Sequence, residues 1–111
     1  MSDLLARDGL RLEAGDAGLV VRGEVGFEHA AALAEAGSRW LAGCESGETV
    51  SFDLRGVAGV SSAALSVLLE WARAASRAGL ALERVQLSAS LWRLTDLAGL
   101  ERLLPLEAAG E

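Results

Sequence analysis

Residues 49–78 read TVSFDLRGVAGVSSAALSVLLEWARAASRA and carry the clearest structural pattern in the chain. Polar and apolar residues alternate from Val50 to Leu54, which predicts a β-strand. A helical pattern begins near Ser61 and Ser62, where a serine hydroxyl can accept a hydrogen bond from a backbone N–H group of the first turn. The stretch therefore predicts a strand, a short connector and a helix with a capped start.

The same kind of pattern predicts further elements on either side. They are strands at Leu10–Glu13 and Leu19–Val25, a helix at Phe27–Leu41, a strand within Leu80–Leu87, and a third helix that starts at Ser88 or Ser90 and runs to Ala98. Residues 1–9 are interpreted as a loose leader. The alternation of strands and helices predicts an α/β fold, in which a small mixed sheet of about four strands is covered by about three helices.

The composition limits the number of domains and the possible partners. The chain has 111 residues, 51% of them apolar, which suits a single domain over residues 1–111 with its core within about 10–106. Its net charge of -6 disfavours nucleic acid and anionic lipid as direct partners, because both are bound mainly through clustered positive charge. The N-terminus lacks the features of a signal peptide, and no apolar run approaches the length of a membrane span. We therefore expect a cytoplasmic protein without direct membrane insertion.

The two longer predicted helices differ in their apolar content. In the helix from Phe27 to Leu41, apolar or small residues including Phe27 and Leu33 form one face, which predicts packing on the sheet. The helix from about Ser62 to Arg77 has only one narrow polar stripe, and its apolar surplus includes Trp71. Complete burial of a helix is difficult in so small a domain. The surplus implies either deep burial or a docking surface, and we favour docking against a partner.

The sequence supplies few residues for catalysis. It has one histidine, His29, and one cysteine, Cys44, with no tyrosine and no phosphate-binding motif of the GxxxxGK(S/T) type. As a nucleophile Ser62 would need a general base, which only His29 from another helix could provide. The single cysteine excludes an internal disulfide and leaves no metal-ligand spacing. We expect a protein that is not an enzyme and has no cofactor or metal ion.

Several motifs resemble a known family. The stretches Asp53–Val57 (DLRGV) and Val60–Leu65 (VSSAAL) resemble the central signature of STAS domains, the fold of anti-sigma-factor antagonists and of the cytoplasmic tails of sulphate transporters. Leu68–Trp71 (LLEW), Ala78–Leu80 (AGL) and Leu94–Pro105 (LTDLAGLERLLP) are most similar to the MlaB type, the STAS subunit of a bacterial phospholipid-transporting ABC complex. The resemblance covers about residues 10–106 and implies the STAS fold.

The resemblance assigns a role to the start of the second helix. In the family, the Ser or Thr at the position of Ser62 lies on the surface that meets the partner, and it is phosphorylated in anti-sigma antagonists. Here Ser61 replaces the usual acidic residue and Ala64 the usual glycine. The departures favour docking over a phosphorylation switch. The predicted docking residues are Ser61, Ser62, Ala63, Ala64, Leu65 and Trp71, and Ser62 is also a possible phosphorylation site.

The resemblance implies a non-enzymatic accessory subunit. It would dock on the cytoplasmic, MlaF-like ATPase subunit of an ABC transporter and, through that subunit, lie peripheral to the inner membrane beside the permease. The transporter would move phospholipid between bacterial membranes and maintain outer-membrane lipid asymmetry, with the ATPase stabilised or regulated by docking. The alternative is an anti-sigma-factor antagonist whose binding to an anti-sigma kinase is controlled by phosphorylation of Ser62. A third possibility is a standalone small-ligand binder, although the sequence shows no group of polar residues that would bind a ligand.

Overall fold

The computed structural model describes residues 2–59, 62–97, 99 and 104–108. The strands are β1 (Ser2–Arg7), β2 (Leu10–Ala14), β3 (Gly18–Glu24), β4 (Thr49–Ala58), β5 (Ala81–Leu87) and β6 (Leu106–Ala108). The helices are α1 (Phe27–Ala42), α2 (Ser62–Arg77) and α3 (Ala89–Leu97). These bounds confirm the predicted α/β fold and the predicted order of the elements from β2 to α3, and they add β1 and β6.

The strands form one mixed sheet in the order β1-β2-β3-β4-β5-β6. The first three strands pair antiparallel, whereas β3, β4, β5 and β6 pair parallel. Parallel neighbours need a crossover connection, and α1, α2 and α3 provide the three crossovers. Because successive parallel strands point the same way, α1 and α2 both begin at the carboxyl edge of the sheet.

The described part of the sheet has six strands rather than the expected four or so. The interpretation of residues 1–9 as a loose leader is wrong, because β1 forms a hairpin with β2. The turn residues Asp8 and Gly9 both have positive φ angles, 48° and 84°, as a two-residue type I′ hairpin turn requires. The register shifts between Asp3 and Leu5, so this edge strand carries a β-bulge.

The hydrophobic core lies between one face of the sheet and the helices. Alternate residues of the central strands are buried, and the register places Leu19 beside Phe52 and Phe52 beside Val85. Successive side chains of a strand point to opposite faces. The helices therefore cover the face that carries these three side chains.

The opposite face of the sheet is polar and charged. Three ion pairs lie along it: Arg11–Asp3 at 2.9 Å, Arg22–Glu13 at 2.8 Å and Arg55–Asp53 at 2.8 Å. Each guanidinium is at least half exposed, and exposed pairs of this kind stabilise a fold by roughly 0–1 kcal/mol each. This face is solvated and largely neutralised within itself.

Helix α2 is the middle helix of the covering layer and contacts α1, α3 and β5. Seven of its side chains are buried: Ala63, Ala64, Val67, Leu68, Trp71, Ala74 and Ala75. A helix with neighbours on both sides and a sheet beneath it needs a wide apolar face. The expectation that the apolar surplus of α2 mainly serves a partner is therefore wrong, since this domain buries most of it.

Candidate docking site

A cleft opens at the carboxyl edge of the sheet, where β3 and β4 end and α1 and α2 begin. Its volume is about 250 Å³. It is lined by Glu24, Val25, Gly26, Phe27, Ala58, Gly59, Ser62 and Ala63. The end of an open α/β sheet is a common place for binding, because the loops there leave a crevice between successive elements. We call this set of eight residues the strand-end cleft.

The predicted docking residues at the start of α2 separate into two groups. Ser62 is the first residue of the helix and is exposed at the strand-end cleft, and Leu65 is half-buried on the same helix. Ala63 and Ala64 are buried in the core, although Ala63 also lines the cleft. Ser61 lies outside the described residues. A partner can therefore reach Ser62 and Leu65 directly.

The predicted role of Trp71 as a docking residue is corrected by its burial. The side chain is 0% exposed and packs edge-on against Phe52, with the ring centroids 5.6 Å apart. Its indole Nε1–H donates a hydrogen bond to the carbonyl oxygen of Ala34 at 3.1 Å. A β-carbon built on Gly37 would lie 2.3 Å from the ring, so α1 approaches the indole through a glycine. Trp71 is a core residue that joins α1, α2 and the sheet.

Sequence reasoning missed the aromatic residue that does lie on the surface. Phe27 was assigned to the apolar face of the first helix, yet it is 79% exposed and lines the strand-end cleft. It is the first residue of α1, and the buried residues of that helix begin only at Leu33. The available signal was the position of Phe27 immediately after Gly26, because the first residue of a helix can lie outside the core even when it fits the apolar periodicity.

Three acidic side chains lie near the start of α1, the helix that Phe27 begins. Glu24 lines the strand-end cleft, and the Glu28 carboxylate lies over Gly26, since a β-carbon there would be 3.0 Å from Glu28 Oε1. Asp8 lies beside the first turn of α1, where its Oδ2 is 2.8 Å from His29 Nε2. No Lys or Arg is among the eight described residues that line the cleft. The surroundings of Phe27 are therefore predominantly negative.

Asp53, the acidic residue of the signature stretch DLRGV, does not line the strand-end cleft. Asp53 accepts hydrogen bonds from the backbone N–H, Nε and Nη2 of Arg55, at 3.0, 3.0 and 2.8 Å. These hydrogen bonds hold the pKa of the Asp53 carboxyl below its usual range, against the opposing effect of partial burial. The pair belongs to the charged face of the sheet.

Cys44 has the environment of a structural thiol. Burial raises the pKa of the Cys44 thiol, and the nearby charge of Glu48 raises it further. The Sγ atom is 3.5 Å from the carbonyl oxygen of Trp40, to which the thiol donates. A raised thiol pKa lowers the thiolate fraction that nucleophilic chemistry requires.

Within the described ranges, no three His, Cys, Asp or Glu side chains come together as a metal site would require. The same ranges contain no helix with both the length and the apolar character needed to span a bilayer.

A family comparison agrees with this arrangement of strands, helices and signature residues. The model of the family described as "Mlab, STAS domain" matches residues 9–105, which is most of the chain. The chain belongs to the MlaB-type STAS domain family. A comparison with curated proteins finds no match. The predicted STAS resemblance is confirmed, and the strand-end cleft is thus the end of a STAS domain at which Ser62 of the signature stretch begins α2.

Proposed function

We propose that this STAS domain is a non-enzymatic accessory subunit that docks on the cytoplasmic ATPase subunit of a phospholipid-transporting ABC complex. It would stabilise or regulate that ATPase, and ATP would be bound and hydrolysed by the partner. The domain would lie peripheral to the inner membrane through this contact. The family match supports the transporter class, since MlaB is the STAS subunit of such a complex.

The observation that carries the proposal is the exposure of Ser62 at the strand-end cleft. Ser62 stands at the family's partner-facing position, and it is flanked by Phe27, which is also exposed. Gly59, at the end of β4, adds a stretch of backbone without a side chain. Small residues allow another polypeptide to approach closely, so the cleft suits contact with protein.

The lining of the cleft favours a protein partner over a free small molecule. Small-molecule sites bring together several polar groups that orient the ligand, whereas only Glu24 and Ser62 among the lining residues have polar side chains. A standalone small-ligand binder is therefore less well supported.

The test is complex formation with the MlaF-type ATPase subunit of the source organism. Wild-type domain and ATPase are co-expressed, and the complex is measured by size-exclusion chromatography and calorimetry. Ser62→Glu should weaken binding at least about tenfold, because the longer side chain would occupy the space that small residues leave for the partner, whereas Ser62→Ala should have a smaller effect. A carboxylate in the first turn of α2 is favourable for the helix itself, so the melting temperature of the Ser62→Glu variant should not fall below that of the wild-type domain.

Ser76→Glu provides the matched control. Ser76 is an exposed serine near the other end of α2 and outside the cleft, so its substitution should leave the affinity unchanged. Equal binding by wild type and Ser62→Glu would exclude the strand-end cleft as the docking surface. Stoichiometric phosphorylation of Ser62 by an anti-sigma kinase and ATP would instead favour the anti-sigma-factor antagonist.

A further inference from the structure

We infer that Phe27 and its acidic neighbours form the specificity element of the docking surface, and that they receive a segment of the ATPase subunit carrying an apolar side chain beside Arg or Lys. This inference rests on the proposed function for the identity of the partner. It adds the chemistry by which the partner is recognised and the residues that recognise it.

The apolar half of the inference comes from the exposure of Phe27. Large aromatic residues that become buried at an interface are among those whose truncation costs most in binding. Phe27 lies 79% exposed at the mouth of the strand-end cleft, and Val25, Ala58 and Ala63 supply apolar lining next to it. A single apolar side chain of the partner can pack against the ring of Phe27 and this lining.

The charged half comes from the sign of the groups around Phe27. Glu24 lines the cleft and Glu28 lies over Gly26, whereas the 83% exposed side chain of Asp8 is paired with His29 in the first turn of α1. On the charged face of the sheet, Asp3, Glu13 and Asp53 are each paired with an arginine, which leaves no such excess there. Complementary charge across an interface orients the partner and excludes segments of the wrong sign. A partner segment with Arg or Lys is therefore favoured, and an acidic one is rejected.

The chain provides a matched control for the aromatic contact. Leu97 is the other large hydrophobic side chain that is strongly exposed, at 86%, among the described residues. It ends α3, which returns from the carboxyl end of β5 towards β6, so it lies at the amino edge of the sheet. Phe27→Ala should raise the Kd for the ATPase subunit roughly tenfold to a hundredfold. Leu97→Ala should change it less than about twofold, since rim and non-interface residues are near neutral.

The charge contact is tested in the same assay. The double variant Glu24→Gln/Glu28→Gln should weaken binding roughly threefold to tenfold at low salt and reduce its salt dependence, because exposed charge pairs act mainly through screened attraction. Glu45→Gln/Glu83→Gln changes two exposed carboxylates outside the cleft and should alter neither quantity. Equal affinities for Phe27→Ala and Leu97→Ala, or no difference between the two double variants, would overturn the inference.

A second measurement separates this inference from the proposed function. The 15N-labelled domain is titrated with two acetylated, amidated peptides, ARLARL and AELAEL, and amide shifts are followed by NMR. The arginine peptide should shift the resonances of Phe27, Gly59 and Ser62, and the glutamate peptide should not. If the ATPase does not bind but the arginine peptide does, the proposed partner is wrong and the recognition chemistry stands. If the ATPase binds and neither peptide shifts these resonances at millimolar concentration, the recognition chemistry is wrong.

Discussion

Trp71 and Phe27 are aromatic residues on adjacent helices, and their environments are opposite. Trp71 is fully buried, whereas Phe27 is 79% exposed. Helix α2 has neighbours on both sides and the sheet beneath, so the apolar face of its middle turns is enclosed within the domain. Phe27 begins α1 at the edge of the sheet, before that helix reaches the core. The place of a residue within the layer, rather than the apolar content of its helix, decides whether it is available to a partner.

Truncation of Trp71 should produce the largest loss of stability. Trp71→Ala removes a buried ring and the hydrogen bond to Ala34, and it should lower the free energy of unfolding by about 3–5 kcal/mol. Chemical denaturation followed by circular dichroism measures the change. Trp71→Phe, which keeps most of the packing, serves as the milder comparison. A loss under about 1 kcal/mol for Trp71→Ala would contradict the assignment of this residue to the core.

Gly37 tests how closely α1 approaches the Trp71 ring. Gly37→Ala would place a β-carbon 2.3 Å from the indole, so the two helices must separate or the ring must move. We expect a destabilisation of about 1–3 kcal/mol, despite the higher helix propensity of alanine. Gly43→Ala at the end of the same helix, where the nearest atom lies 3.5 Å away, is the control. Stabilisation by Gly37→Ala would show that the contact is looser than described.

Asp53 extends the comparison to the solvated face of the sheet. Its ion pair with Arg55 is partly exposed, whereas the packing of Trp71 on Phe52 is buried. The pKa of Asp53 is lowered by Arg55, so its contribution to stability is present at neutral pH, above the ordinary carboxyl pKa of about 4. That contribution is lost as the pH falls through the lowered pKa. Because the pair is partly exposed, Asp53→Asn should cost only about 0.2–1 kcal/mol at pH 7. The difference between the variant and wild type should shrink below about pH 4, as measured by denaturation at several pH values.

Phe27 should give the smallest change in stability. Phe27→Ala alters a side chain that is mostly in water, and the free energy of unfolding should change by less than about 0.5 kcal/mol. Thermal and chemical denaturation of the isolated domain provide the measurement. A loss comparable to that of Trp71→Ala would mean that Phe27 is part of the core, and its effect on binding could no longer be assigned to a direct contact.

The helices and the middle strands were predictable because they depend on local patterns. The bounds predicted for α2 match those observed, and β5 lies within the predicted stretch Leu80–Leu87, of which it occupies nearly all. The hydroxyl of Ser88 accepts a hydrogen bond from the N–H of Leu91 at 3.3 Å, as predicted for a helix cap. The first strand was missed although Asp8-Gly9 is a strong hairpin signal. A pattern argument that starts from apolar runs gives little weight to SDLLAR, where only Leu4, Leu5 and Ala6 are apolar.

The strand-end cleft was predictable only in part, because it joins residues distant in sequence. Ser62 was found through its position at a helix start and through the family resemblance. Phe27 lies in another helix and lines the same cleft as Ser62 only because parallel crossovers bring the starts of α1 and α2 to one edge. Apolar periodicity assigns a side chain to a face of a helix, but it does not show where along its length that helix leaves the core.

The bulge in β1 has a consequence for crowded assemblies. An outer strand with an uninterrupted row of free N–H and C=O groups can recruit strands from neighbouring molecules and start a growing ribbon. The register shift between Asp3 and Leu5 interrupts that row and twists the strand locally. Copies of the domain at high local concentration would therefore resist joining edge to edge, and a variant that restored a regular first strand would be expected to aggregate.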